Sequence, residues 1–209
     1  MGYKVERIAG GVGRDFIKEH HYSKGCHNGP MCWGLFDMTG RLIGVCAFAT
    51  PSSENVRRSV FGPDHKNHVT ELHRLVILDE TPKNTESWFI VRALRGLHEY
   101  RPGIWGVLSF ADETEGHRGT IYQATNAIYL GTTGRTRFWR DPTGRLRHPR
   151  QNGHNVTPAE AEEMGWESEM RDAKHRYLFL VGDGPAHRRR LRKLIQGTPR
   201  PYPNPSKEA

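Results

Sequence analysis

The chain has 209 residues, enough to bury a full core in a single domain, and its 35% hydrophobic content, with aromatics recurring to the end, excludes wholesale disorder. A formal charge of +8 and a pI near 9.6 point to a polyanionic partner, because Lys and Arg displace counterions from phosphates. No apolar leader follows Met1 and no segment approaches membrane-spanning length, so a cytoplasmic protein without membrane contact is expected; Cys26, Cys32 and Cys46 cannot pair completely and fit a reducing compartment.

In chain order, residues 12–20 have helical patterning and run into His20-His21-Tyr22-Ser23, with Gly25 as a stop signal. Residues 31–51, "MCWGLFDMTGRLIGVCAFATP", read as a hairpin turning at Asp37–Gly40 and ended by Pro51. The Ser-, Asn-, Gly- and Pro-rich stretch 52–68 reads as a long loop. "HVTELHRLVILD" is a strand, and "NTESWFIVRALRGLHEY" a helix capped by Asn84 or Thr85, with Trp88, Val91, Leu94 and Leu97 or His98 at helical spacing. A buried strand at 104–111 leads into "DETEGHRGTIYQATN", expected to hold a short helix near 117–125, and "AIYLGTT" is the next strand. Residues 135–150 hold six arginines against the single acid Asp141 and a "DPTG" turn. "HRYLFLVG" is a late strand, "PAHRRRLRKLIQG" a basic helix, and the Pro-rich tail a surface segment. The order predicts an α/β (α+β) domain spanning 1–209 with a mixed sheet, an Arg-rich segment at 135–150 and a basic C-terminal extension at 186–209.

In such sheets ligands sit beyond the carboxyl ends of strands. Two ends qualify, at Asp79-Glu80 and at Asp112. The helix opening "NTES" turns free N–H groups and its positive dipole end toward the first, either as an anion site involving Asn84 or as an ordinary cap. Asp112 reads as a base, a metal ligand or a cap for the following turn; Tyr122 as a general acid or a core tyrosine. Cys26, His27 and Cys32 lack the second ligand pair that a structural zinc requires.

"EHHYSKG", "ELHRLVILD…NTESWFI", "SFADETEGHRGTIYQATNAIYLG" and "KHRYLFLVG…PYP" together resemble the phage Mom proteins, which modify viral DNA at adenine, over about residues 12–204. The resemblance implies a divergent GNAT acyltransferase fold, a transferase that shields phage DNA from restriction, and functional roles for His21, Tyr22, Arg74, Ser87, Asp112 and Tyr122, with Tyr122 placed to protonate the leaving group. It also implies an iron requirement, for which His21, Tyr22 and Asp112 offer donors. GNAT proteins grip the coenzyme A pyrophosphate with a Gly-rich loop; here that segment is "DETPKNTESW", without glycine.

The expected partners are therefore double-stranded DNA and, as the acyl donor, either glycyl-tRNA or acetyl-CoA. Arg137, Arg140, Arg145, Arg147, Arg188, Arg189 and Arg190 are expected to contact DNA phosphates, and Tyr22 or Trp33 to stack on a flipped adenine. An acyltransferase acting on a small amine or a protein would not need the arginine-dense segments, and a non-catalytic DNA-binding protein would not need Asp112 or Tyr122.

Overall fold

The computed structural model describes residues 2–22, 24–51, 53–151 and 153–203. It contains strands β1 (Lys4–Ile8), β2 (Met31–Phe36), β3 (Leu42–Ala49), β4 (Val69–Ile77), β5 (Gly106–Asp112), β6 (Ile128–Thr132), β7 (Thr136–Arg140), β8 (Leu146–Arg147), β9 (Arg150–Gln151), β10 (His154–Asn155), β11 (Glu167–Arg171) and β12 (Lys174–Leu180). Its α-helices are α1 (Gly10–His20), α2 (Glu54–Phe61), α3 (Thr85–Tyr100), α4 (Thr120–Gln123), α5 (Pro158–Glu163) and α6 (Pro185–Lys193). Two compact units emerge, one of Met1–Phe110, Gly119–Gly131 and Arg176–Ala209, the other of Ala111–Arg118 and Thr132–His175.

The first unit carries a seven-stranded sheet in the order β1-β2-β3-β4-β5-β12-β6. The first four strands are antiparallel neighbours, and β4 and β5 are parallel. β2 and β3 are almost wholly buried, as apolar runs that pack on both faces must be. Helices cover both faces: Gly13 of α1 lies against Cys32, whereas Gly96 of α3 lies against Trp33, the next residue of β2. On a third patch Val60 and Phe61 of α2 close over Val69, Leu108 and Leu178. No helix among the described residues is long and apolar enough to cross a membrane.

Three expectations change. The stretch 52–68 is not a loop: Glu54–Phe61 is helical and Pro63–His68 forms a 3-10 turn, because Val60 and Phe61 anchor an otherwise polar segment in the core. The buried stripe of α3 is Phe89, Ile90, Ala93, Leu94 and Leu97, rotated from the predicted one; Val91 is 43% exposed and Trp88 carries the Arg92 guanidinium 3.5 Å above its ring. Asn84 adopts a left-handed backbone (φ 70°) and makes no side-chain cap. Strand β1 and strand β11 add to the predicted elements, and α5 follows the Thr157-Pro158-Ala159-Glu160 start signal.

In the second unit β11, β7 and β8 form a three-stranded sheet, and β9 and β10 a two-stranded ribbon. Trp139, Val156 and Ala161 form its core, with Trp166 packed against them. The "DPTG" turn is built as read, the Asp141 carboxylate accepting from the N–H groups of Thr143 and Arg145 and from the Thr143 hydroxyl. A reciprocal Thr157–Glu160 capping box starts α5.

Candidate active site

The parallel ladder between β4 and β5 lasts only three residue pairs, Val69↔Gly106, Thr70↔Val107 and Glu71↔Leu108, although both strands run on. Beyond Glu71 the Ser109 hydroxyl reaches across, 3.5 Å from the Leu72 carbonyl. The end of a parallel ladder is an opening at the carboxyl side of the sheet, where ligands of α/β proteins bind.

Tyr122, on the single turn of α4, sends its hydroxyl into this opening and hydrogen-bonds Ser109, which is fully buried. Its ring is wedged between Tyr177 at 5.4 Å and Phe179 at 5.9 Å, centroid to centroid. Burial pushes the phenol up to about 12; the Ser109 hydrogen bond opposes that, and Cys46, Tyr22 and Glu71 raise it further. A phenol in this state keeps its proton at neutral pH and can give it to a developing anion. Gly119 makes room for these rings at φ 72°: a Cβ there would lie 2.9 Å from Tyr177 Cζ and 3.0 Å from Tyr122 Cδ2.

Glu71 and His73 face the same side of β4, as alternate strand residues do, with the imidazole Nδ1 3.5 Å from the carboxylate. Both side chains are about one-fifth exposed (23% for His73, 20% for Glu71). The segment after α1 lies against them: the His27 ring meets His73 edge-on at 6.2 Å, and Arg74 donates through Nε to the Gly25 carbonyl at 2.8 Å. Arg74 thus ties this segment down rather than reaching outward; its Nη1 donates to the His73 carbonyl. His21 ends α1, 9% exposed, and stacks at 4.4 Å on Tyr22, which is 62% exposed. Ser23 lies outside the described residues.

The structure therefore brings His21, Tyr22, Arg74 and Tyr122 to one end of one sheet, where sequence reasoning missed Glu71, His73 and Ser109. The available signal was two polar residues at i and i+2 inside "HVTELHRLVILD", in a strand flanked by apolar ones. Asn84 and Ser87 stay at the start of α3, where the Ser87 hydroxyl donates to the Asn84 carbonyl at 3.0 Å. Trp33, expected as a stacking surface, is 3% exposed and packs edge-on to Phe48, so it belongs to the core.

Asp112 sits in the second unit. One oxygen accepts from the Thr114 N–H and caps the 3-10 turn Glu113–Glu115; the other lies 2.8 Å from Lys174 Nζ and 3.6 Å from Arg171. Burial works to raise this carboxyl, but the Lys174 hydrogen bond and charge, with Thr114 and Arg171, outweigh it and hold it below the usual range. A carboxylate so engaged is a poor proton acceptor and a strong organiser of its neighbours. No group of three His, Cys, Asp or Glu side chains among the described residues could hold a metal ion. With Asp112 engaged by cations, the donor set does not fit iron, and no step is derived through it.

The arginines divide. Arg140 is paired with Glu169, Arg147 with Asp141 at 2.6 Å, and Arg135 with Asp172 at 3.0 Å, so acids on β11 and the turns neutralise much of the 135–150 segment. Arg137 lies 5.7 Å over the Trp139 ring, and Arg145 shapes the turn through its backbone N–H. Arg188 donates to the Gly182 carbonyl, and Arg189 and Arg190 are exposed on α6.

A mixed sheet with helices on both faces and a tyrosine at the opening between its parallel strands defines a GNAT-type acyltransferase fold. The ribosomal-protein-S5-alanine acetyltransferase of Vibrio fischeri superposes with a TM-score of 0.51 at 8% identity, covering 88% of this chain and 95% of that one. The spermidine N-acetyltransferase of Vibrio cholerae gives 0.48 at 11% identity, covering 86% and 94%. The Mom protein family model matches residues 2–204, and the chain belongs to that family. It is 35% identical over 132 residues to the methylcarbamoylase Mom of Escherichia phage Mu, covering 62% of this chain and 54% of that protein, so it spans about half the length of this relative.

Proposed function

We propose that this protein is a DNA-modifying transferase that acylates the exocyclic amine of adenine and leaves N6-carbamoylmethyladenine, protecting phage DNA from restriction. The observation that carries the reading is Tyr122, a buried phenol that keeps its proton, beside the Glu71–His73 pair at the end of the β4–β5 ladder, in a chain of the Mom family. A proton acceptor for the attacking amine and a proton donor for the leaving group are what acyl transfer to an amine needs.

In the reaction the adenine amine attacks the donor carbonyl. His73 takes the proton released as the C–N bond forms, with Glu71 stabilising the imidazolium, and Tyr122 protonates the departing oxygen or sulfur as its bond to carbon breaks. The target base must leave the duplex stack to reach such an opening, and Tyr22, exposed and stacked on His21, offers it a ring. DNA phosphates are held by Arg137, Arg145 and Arg188 to Arg190.

The donor follows from the product. In a carbamoylmethyl group the adenine nitrogen is bonded to CH2 and the chain ends in a carboxamide. An acetyl group cannot make this, because it would bond the nitrogen to a carbonyl and supply no second nitrogen. A glycyl ester can: the first product is N6-glycyladenine, whose amine attacks C6, closes a five-membered spiro ring and expels the original nitrogen as the carboxamide. The absence of glycine before α3 and the basic composition suit a glycyl-tRNA donor over acetyl-CoA. Mass spectrometry of nucleosides from plasmid DNA tests the proposal. Wild-type expression is expected to yield the modified base and Tyr122→Phe almost none; an unmodified adenine pool from cells making folded wild-type protein would overturn it.

A further inference from the structure

A second concavity lies away from the ladder opening, between α3, β12 and α6. Its apolar lining includes Val91, Leu94, Phe179 and Val181. Its rim is Arg95, Arg188, Arg189 and Arg192, and no acid lines it. Arg95, Arg189 and Arg192 have no acidic partner among the described residues, unlike Arg140, Arg147 and Arg135 of the second unit. Four cations line one groove with no acid among its lining residues, so an anion bound there would relieve their mutual repulsion.

His98 adds a polar handle to the lining. Its Nε2 is paired with Asp183 at 2.9 Å, and its Nδ1 is buried with no hydrogen-bond partner among the described residues. A buried ring nitrogen left unmatched in this way costs free energy that a bound group can recover. The floor also connects to the reaction centre, because Phe179 is the residue whose ring meets Tyr122 edge-on at 5.9 Å.

We propose that this groove holds an unpaired nucleic-acid strand, its phosphates on Arg95, Arg188, Arg189 and Arg192 and a base or sugar face on the Val91–Phe179–Val181 floor. Alternating anionic and apolar elements are what such a strand presents, and a charged rim over an apolar floor is their complement. A duplex hides its base faces, so the floor selects against it. The inference rests on the reading of the protein as one that acts on nucleic acid, and it adds a strand-binding site to which Arg95, Arg192 and His98 contribute. The strand is supplied either by DNA opened around the target or by a ribonucleotide chain that carries the donor.

The test measures binding of fluorescein-labelled 12-mers, one DNA and one RNA of the same sequence, across a salt series. Each phosphate contact on a single strand contributes a slope of about −0.7 in log K against log salt. The variant R95A/R189A/R192A is therefore expected to bind more weakly, with a slope shallower by about 2. A control, R41A/R58A/R135A, removes the same charge from arginines already paired with Glu80, Glu54 and Asp172 and is expected to keep the wild-type slope. Preference for one 12-mer assigns the source; equal binding assigns the shared backbone. Unchanged slope in the groove variant or an equal loss in the control would overturn the groove. Modified adenine in plasmid DNA from the same strains reports separately on the proposed function, so a failure of the groove leaves that reading intact and a failure of the function is seen independently.

Discussion

At the residue scale, the account turns on proton placement. Tyr122→Phe removes the hydroxyl but keeps the ring among Tyr177 and Phe179, so it should cost about 1 kcal/mol of stability through the lost Ser109 bond and about 10²- to 10⁴-fold in rate. Equal losses in stability and no loss in rate, read by thermal melting and single-turnover kinetics, would remove it from the chemistry. Its raised phenol has a further consequence. A neutral buried tyrosine stabilises the fold fully below the unfolded value of about 10, and this contribution is lost as pH climbs toward about 12. Glu71→Gln should cut the rate by a similar factor with little change in melting temperature. An unaltered rate would leave Glu71 a structural residue. Asp112 works in the opposite direction. Its carboxyl lies below the usual range, so its stabilisation is present above about pH 4 and disappears as pH falls through the folded value. Asp112→Asn should lower the melting temperature at pH 7 and bring the two proteins together in acid; a gap that persists undiminished at low pH would refute the Lys174–Arg171 account. His21, Tyr22 and Tyr122 stand out in the sequence as an imidazole and polar aromatics beside apolar runs. Glu71 and His73 were hidden by their strand, where alternate polar residues look like an ordinary solvent face.

At the scale of elements, reading succeeded where an element's own residues determine it. The hairpin, the strands at 69–77 and 106–112 and the basic helix all carry their period or their turn chemistry locally. It failed where tertiary packing decides. Glu54–Phe61 is helical because two residues at its end reach the core, and no composition rule sees that. The segment after α1 is a similar case: nothing local fixes it, and Arg74 holds it through the Gly25 carbonyl. Arg74→Ala should free this segment, raise the substrate requirement and leave the melting temperature nearly unchanged, since one partly exposed bond contributes about 1 kcal/mol. A variant with wild-type KM would show that the segment does not shape the opening. The turn before α4 is stricter. Gly119→Ala forces a side chain onto a left-handed residue and into two rings, so a loss of about 1–3 kcal/mol is expected, visible as a lower denaturant midpoint.

At the scale of the molecule, the charge of +8 correctly marks a basic protein, but charge density along the chain is a poor map of where cations are free. The 135–150 segment looked most basic and is largely neutralised by Glu169, Asp172 and Asp141, residues separated from it or hidden in its own turn. Four arginines, Arg95 on α3 and Arg188, Arg189 and Arg192 on the basic helix α6, line one groove instead. The fold itself was readable from element order, and its family from motifs in sequence, whereas the distribution of ion pairs required the three-dimensional arrangement. The central claim is acyl transfer to adenine from a glycyl donor at the Tyr122 site. Its most direct test is the nucleoside mass spectrum of plasmid DNA from cells fed glycine labelled with nitrogen-15. The account predicts a labelled modified adenine, with the label on the nitrogen still bonded to C6 and the original exocyclic nitrogen in the carboxamide. A modified base without label, made while the glycine pool is demonstrably labelled, would contradict it.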